Sequence, residues 1–467
     1  MDDAVLATIT ANVEKNFGRG EDLAHQDAGY TYEVDFQVEG SSETHHYELT
    51  VLDSMEFTNE YGDTVKAVAF EDQYGNIYVH YNGTGDGNWG YNSVAYGGGP
   101  SKVQSESLEF FDHVMSEYGA DADKVYVTGH SQGGNNAQYV TMNSEYGDRI
   151  DMCMAMDAPG FSHEAVERMK NRYGEDYYES QRQKIYSYNG SSDYVDPLGN
   201  EIIAPQDDEH LTIIYAPDGG LIGWHMIDGM MDGNNLNPRV DDYDPFHKFV
   251  VEVNRRVNEL PPDQRERVAE LGMKVAEYFL GGEGDANWKS DLTLQDLAEL
   301  AEYVLPILAQ YMVEDPEAFR AMFEQLGLPE CFVDYVFPIC VELARFAITV
   351  AEALKALAEA VDKLIEYLRG ITPGGRYVDD NPYFKADPEK LKNYATRLDR
   401  VNQRLVQLDK DLDSLYWQVG LVDLGEIASA NLITSYSTNL LLAKSFLNKA
   451  AEKLEAAERK AKGYMGG

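Results

Sequence analysis

The residues best equipped for chemistry stand in Gly129-His130-Ser131-Gln132-Gly133. A serine with a glycine two positions to either side suits a turn too sharp for flanking side chains, one that lifts the hydroxyl clear of the backbone. A serine hydroxyl is a poor nucleophile at neutral pH. It needs a base within hydrogen-bond reach, and the base needs an anion to fix its tautomer and stabilise its charged form. Downstream, Asp193 lies in Gly190-Ser191-Ser192-Asp193-Tyr194-Val195-Asp196-Pro197 and His225 in Gly223-Trp224-His225. They offer an acid and then a base. Asp196 and Asp157 compete for the acid's role. His210 precedes a strand, which puts it at the wrong end of a sheet. His163 and His247 sit at helix starts, and His130 packs beside the serine.

These side chains need elements to position them. Val125–Val127 is a short apolar strand, and the residues from Gly134 to Met142 suit a helix, so the serine stands at a strand–turn–helix apex. The helix start brings a positive dipole end to the serine. Ile150–Ala158, Lys184–Asn189 and Leu211–Ala216 read as further strands, with Asp157, Asp193 and His225 at or just past strand ends. Strands alternating with helices predict a mostly parallel sheet, whose sites form at the carboxyl ends of strands. Upstream, residues 65–82 predict two strands about a turn at Gly75-Asn76. The loop Gly83-Thr84-Gly85 that follows could bring a backbone N–H and the Thr84 hydroxyl to a substrate oxygen, opposite the N–H of Gln132. Gly97-Gly98-Gly99-Pro100 precedes a helix at Val103–Tyr118 and could gate an apolar substrate. Residues 1–50 predict a helix at Ala4–Val13 and a hairpin of Tyr30–Val38 with His45–Val51, and suggest no chemistry.

The chain has 467 residues, enough for two or three domains. Its formal charge of −43 argues against nucleic acid as a partner and against electrostatic capture by an anionic membrane. Cys153, Cys331 and Cys340 make no disulfide framework and read as buried thiols. No His-x-x-x-His or Cys-x-x-Cys spacing is present, so neither a metal nor another cofactor is implied. The N-terminus shows no Sec-type signal.

Tyr81-Asn82-Gly83-Thr84-Gly85-Asp86 with Trp89, then Val-Thr-Gly-His-Ser-Gln-Gly-Gly-Asn, then Asp-Ala-Pro-Gly-Phe, resemble the DUF2974 (Mbeg1-like) group of lipase-like α/β-hydrolases, relatives of the class 3 lipases. The resemblance spans roughly residues 60–235. It implies a Ser131–Asp193–His225 triad, with Thr84 and Gln132 forming the oxyanion hole. Asp193-Tyr194-Val195 matches the family's Asp-x-Val setting. Gln132 stands where many relatives have leucine, and Asn82 where many have arginine.

From Pro245 to Gly370, apolar stripes at helical spacing predict helices at Arg255–Phe279, Thr293–Met312, Pro316–Leu326 and Phe332–Leu368. Pro261-Pro262, Gly281-Gly282 and Gly327-Leu328-Pro329 interrupt them. The bundle would pack on or beside the sheet domain, or act as a lid. Past Thr372-Pro373-Gly374-Gly375 the acidic excess ends. Residues 381–467 hold 13 Lys and Arg against 11 Asp and Glu. Two heptad seams, Leu391–Leu415 and Ile433–Ala457, flank Trp417 and Gly420 and predict an antiparallel helical hairpin that recruits a partner helix or dimerises. This hairpin resembles the WXG/LXG-like modules of type VII secretion substrates, in the reversed order of the type VII-secreted antibacterial lipases. Two residues separate Trp417 from Gly420 where the motif has one.

The expectation is therefore an α/β-hydrolase domain at 1–240 with its core at 60–235, a helical region at 241–375 and a targeting hairpin at 381–467. By resemblance the chain is a lipase or phospholipase A secreted by a type VII system as an antibacterial effector. A lipid ester is its substrate, small WXG-like helical proteins its targeting partners, and an immunity protein a further partner. A cytoplasmic esterase with a dimerisation hairpin, and a binding scaffold with an inactive hydrolase fold, are the alternatives.

Overall fold

The computed structural model describes residues 1–17, 23–58, 64–83, 100–199, 201–217, 220–280 and 292–328, with scattered positions between 333 and 403. The chain divides into two compact units, Met1–Ile307 with Ala321–Gly327, and Leu308–Arg320 with Leu328–Gly467.

The first unit opens on helix α1 (Asp3–Lys15), which Asp2 caps by accepting the Ala4 N–H at 2.9 Å. Strands β1 (Thr31–Phe36), β2 (His45–Thr58), β3 (Thr64–Asp72) and β4 (Ile77–Tyr81) follow as an antiparallel meander. Helix α2 (Lys102–Glu117) starts with a full capping box, Ser101 with Gln104. Then come β5 (Val125–His130), α3 (Gln132–Asn143), β6 (Met152–Met156), α4 (His163–Tyr173), α5 (Glu175–Arg182), β7 (Ile185–Gly190) and β8 (Leu211–Ile214). Strands β4 to β8 are parallel neighbours in sequence order. Short helix α6 (Gly220–His225), the small hairpin β9 (Met231–Asp232) and β10 (Asn235–Leu236), and edge strand β11 (Arg239–Val240) complete this part. Sheet order is β1-β2-β3-β4-β5-β6-β7-β8-β11.

The period-2 alternation of the strands divides the core in two. Ile77, Val79, Val125, Val127 and Cys153 face α2, α3 and α4, with Phe110, Phe111, Val140 and Val166. Tyr78, Tyr126, Met154, Met156 and Tyr188 face the other way, against Leu6, Ile9 and Val13 of α1. Each such apolar side chain, fully buried, contributes about 1.5–3 kcal/mol. Burial pushes the Cys153 thiol up to about 12, which suits packing rather than reaction. Cys331 and Cys340 lie outside the described residues.

Beyond the sheet the chain is helical: α7 (Pro245–Asn258), α8 (Pro262–Leu280), α9 (Leu294–Glu314) and α10 (Pro316–Gln325). The expected break at Pro261-Pro262 separates α7 from α8, with Pro262 at the first position of α8, where its missing N–H costs nothing. In the second unit Phe319 packs edge-on against Tyr311 at 5.0 Å and stacks with Phe337 at 6.2 Å. The expected hairpin at 381–467 lies outside the described residues, apart from single positions. No helix among the described residues is long and apolar enough to cross a membrane.

Candidate active site

Strand β5 ends at His130, and α3 begins one residue after the apex, at Gln132. Ser131, the apex, adopts φ 56° and ψ −126°, a conformation that side-chain-bearing residues rarely hold. The flanking glycines explain how the turn closes. A Cβ on Gly129 would lie 2.3 Å from the carbonyl carbon of Gly133, and one on Gly133 would lie 2.0 Å from the Tyr81 oxygen. Real Cβ atoms do not approach that closely. The Ser131 N–H donates to the Met156 carbonyl at 2.8 Å, which fixes the apex to the end of β6.

His225 reaches this serine from the end of α6. Its Nε2 lies 2.8 Å from the Ser131 hydroxyl, and its Nδ1 lies 2.7 Å from Asp193 Oδ1. With Nδ1–H donating to the carboxylate, Nε2 is left to accept the serine proton. Asp193 is fully buried in the loop after β7. Its Oδ2 accepts the N–H groups of Val195 and Asp196 at 2.9 and 2.8 Å. Burial works against the charge of Asp193, but the His225 imidazole and these hydrogen bonds hold its carboxyl below the usual range.

The competing acids sit differently. Asp196 accepts from Asn189 Nδ2 at 3.0 Å. Burial, with the carboxylates of Asp193 and Asp157 beside it, pushes its carboxyl well above the usual range. Asp157, at the end of β6 with φ 45°, accepts the Gly190 N–H at 2.7 Å. Burial, then the neighbouring Asp193 carboxylate, push it up to about 6. Both serve the site at one remove. His210 pairs with Asp207 and His163 with Glu201, each at 2.6 Å and away from the serine.

His130 does more than pack beside the serine. Its ring stacks on that of His225 with centroids 5.0 Å apart, and its Nε2–H donates to the His225 carbonyl at 2.9 Å. Asp157 Oδ2 lies 3.6 Å from Nε2, and Glu14 Oε1 lies 3.7 Å from Nδ1. Glu14 also accepts from His80 Nε2 at 2.8 Å and from the Gly83 N–H at 3.2 Å. Burial opposes a charge on His130, yet the two carboxylates outweigh it and raise the ring to about 10. Glu14 shows the mirror image: burial opposes its charge, but His130 and His80 bring it down to about 2.

Among the described residues, His130, Asp157 and His225 bring ligand atoms within 4.8 Å of one another. Each ring nitrogen that could face an ion is already committed: His130 Nε2 to a carbonyl, His225 Nδ1 to Asp193 and Nε2 to Ser131. The donor set fits a hydrogen-bonded network better than a metal.

A parallel sheet, a strained serine at a strand–helix turn and an imidazole over the strand ends now stand together. Residues 42–192 match the Mbeg1-like family model. This is an α/β-hydrolase fold. Among solved structures this chain is similar to the Lip2 lipase of Yarrowia lipolytica, at 14% identity and a TM-score of 0.24 over 38% of this chain and 69% of that one. It is also similar to a triacylglycerol lipase from Penicillium expansum, at 9% identity and a TM-score of 0.25 over 53% of this chain and 92% of that one. No curated protein matches the chain.

Of the residues singled out in the sequence of this hydrolase fold, Ser131, His225 and Asp193 form one hydrogen-bonded row, with Gln132 opening the helix beside the serine. Thr84 lies outside the described residues, as do Trp89 and Gly97-Gly98-Gly99. The first 50 residues, which suggest no chemistry in sequence, also reach this site. Glu14, in the last turn of α1, lies against the rear of the site, and nothing in its sequence neighbourhood marks it. Only the Tyr78-x-His80 and Tyr126-x-Thr128-x-His130 alternation places His80 and His130 on the face that α1 covers.

Proposed function

We propose that this chain is a serine acyl-ester hydrolase, a lipase or phospholipase A. The observation that carries the reading is the unbroken row Ser131 Oγ, His225 Nε2, His225 Nδ1, Asp193 Oδ1, with contacts of 2.8 and 2.7 Å. The row spans 94 residues of sequence between Ser131 and His225, so local structure does not create it.

In this reading Ser131 attacks the ester carbonyl while His225 Nε2 takes its proton. His225 returns that proton to the departing alcohol, leaving an acyl group on Ser131. A water, deprotonated by the same nitrogen, releases the acid and restores the serine. Asp193 stays ionised throughout and stabilises the imidazolium. The Gln132 N–H, at the positive end of α3, and Thr84 supply the oxyanion donors. An apolar acyl group suits the surroundings of His225: Tyr194 lies 5.7 Å from its ring, and Phe246 of α7 packs on Trp224 at 5.3 Å. Ester and phospholipid hydrolysis by wild type, lost in Ser131→Ala, supports the proposal. Equal turnover by both proteins rejects it, and no turnover of any ester or phospholipid rejects it in favour of a binding scaffold.

The C-terminal tail carries the second part of the proposal. Its heptad seams and its change of charge support a targeting module, and by resemblance it addresses the enzyme to type VII secretion as an antibacterial effector. Small WXG-like helical proteins are its partners there, with an immunity protein protecting the producer. A secreted fraction that disappears when residues 381–467 are deleted supports this. A protein retained in the cytoplasm and dimeric through the tail supports the esterase alternative.

A further inference from the structure

The buried charges behind the site are not used by the reaction steps above. Glu14 comes from α1, His80 from β4, His130 from the elbow and Asp157 from the end of β6. Of these, His130 stacks on the ring of His225, which α6 supplies. The side chains of His80, His130 and Asp157 are 1%, 6% and 0% exposed, and that of Glu14 is 13% exposed. Two catalytically relevant backbone groups end on this cluster. The His225 carbonyl accepts from His130, and the Gly83 N–H donates to Glu14. Gly83 is wedged there: a Cβ on it would lie 3.3 Å from both Glu14 Oε1 and the His130 carbonyl oxygen.

We propose that α1 is a working part of the active site: Glu14, acting through His130, fixes the His225 backbone and, through Gly83, fixes the strand end that leads to Thr84. Glu14, His130 and Asp157 are positioning residues. They touch neither substrate nor reacting atoms.

The physical reason is the arrangement of charges. A protonated His130 between two carboxylates is held on both sides and cannot rotate without parting from one of them. Its Nε2–H is thereby fixed on the His225 carbonyl, and the imidazole of His225 lies between that anchor and Asp193. Neutral His130 would lose its attraction to Glu14, since Nδ1 would carry no proton. His130 retains its proton to about 10, so the device operates across the neutral and mildly alkaline range.

The inference rests on the hydrolase reading, so the test separates the two. Full-length wild type, Ser131→Ala and Glu14→Gln are labelled with a fluorophosphonate, and the rate of Ser131 modification is followed from pH 6 to pH 10.5. Labelling of wild type and not of Ser131→Ala establishes a reactive serine. Glu14→Gln should then label about tenfold more slowly at neutral pH, as expected when one member of a buried polar network is removed. Its alkaline decline should also begin at lower pH than in wild type, because His130 has lost one of its two carboxylates. A purely structural role would lower the rate without moving that limb. Unlabelled wild type overturns the hydrolase reading. A labelled wild type whose rate and pH profile are matched by Glu14→Gln overturns this proposal alone. If Glu14→Gln does not fold, judged by circular dichroism, His130→Gln takes its place. It retains a donor for the His225 carbonyl but has no charge, and should lose the alkaline limb altogether. Its retention of the wild-type limb overturns the proposal.

Discussion

Nδ1 of His247 donates a 2.8 Å hydrogen bond to the backbone carbonyl of Asp193. The donor belongs to α7, outside the sheet, and the acceptor to the acid that orients His225. Around this bond α7 clasps the acid loop: Asp244 accepts from the hydroxyls of Ser191 and Ser192 at 2.7 and 2.6 Å. Gln325 donates to Ser192 at 2.9 Å and accepts the Phe246 N–H at 2.8 Å. Helix α7, with Gln325, thus braces the acid.

The buried His247 has a pH signature. Burial lowers the pKa of His247 from 6.5 to about 4, so on acidification the unfolded chain binds the proton before the folded one does. Stability should therefore fall from pH 6.5 down to about 4, by up to roughly 3 kcal/mol. His247→Asn keeps a donor near the Asp193 carbonyl and removes the titration. Urea unfolding across this range should show a shallower acid slope for the variant; parallel slopes would exclude His247 as the source.

The two aspartates of the acid loop should separate kinetically. Asp193→Asn removes the anion that holds the tautomer of His225 and should lower kcat by about 10⁴-fold. Asp196→Asn alters a carboxyl that accepts from Asn189 while the His225 imidazole pairs with Asp193, and it should leave kcat within about threefold of wild type. Steady-state ester hydrolysis measures both. The opposite ranking would make Asp196 the acid.

Ser131 holds its φ of 56° against its own side chain. Ser131→Gly should relieve that strain and Ser131→Ala should not. Both should be inactive, with the glycine variant more stable by about 1–2 kcal/mol. Thermal melts of the two variants decide this.

The glycines on either side act through space, not through flexibility. Gly129→Ala and Gly133→Ala should each cost about 3 kcal/mol or more, because the added methyl meets backbone that has nowhere to go. Gly29→Ala is the control. Its φ is 92° but nothing lies within 4 Å of the added carbon, so only conformational strain remains, about 1 kcal/mol. Chemical denaturation of the three variants should rank them so.

Local pattern determined a good deal of this protein by itself. Period-2 alternation and Gly/Asn turns set the strands, capping residues and apolar spacing set the helices, and the glycine pair around Ser131 set the elbow. These are short-range effects, readable because each involves residues a few positions apart. The positions of Asp193 and His225 at strand ends were also legible, because parallel topology brings all carboxyl ends to one edge. What tertiary structure decided was which groups share the space behind that edge. Glu14 lies 66 residues from the His80 it pairs with, and His247 lies 54 from the carbonyl it holds. Which of Asp193 and Asp196 receives the His225 imidazole was likewise decided by the fold. Such pairings arise from how helices seat on the sheet, and the sequence near either partner carries no trace of the other.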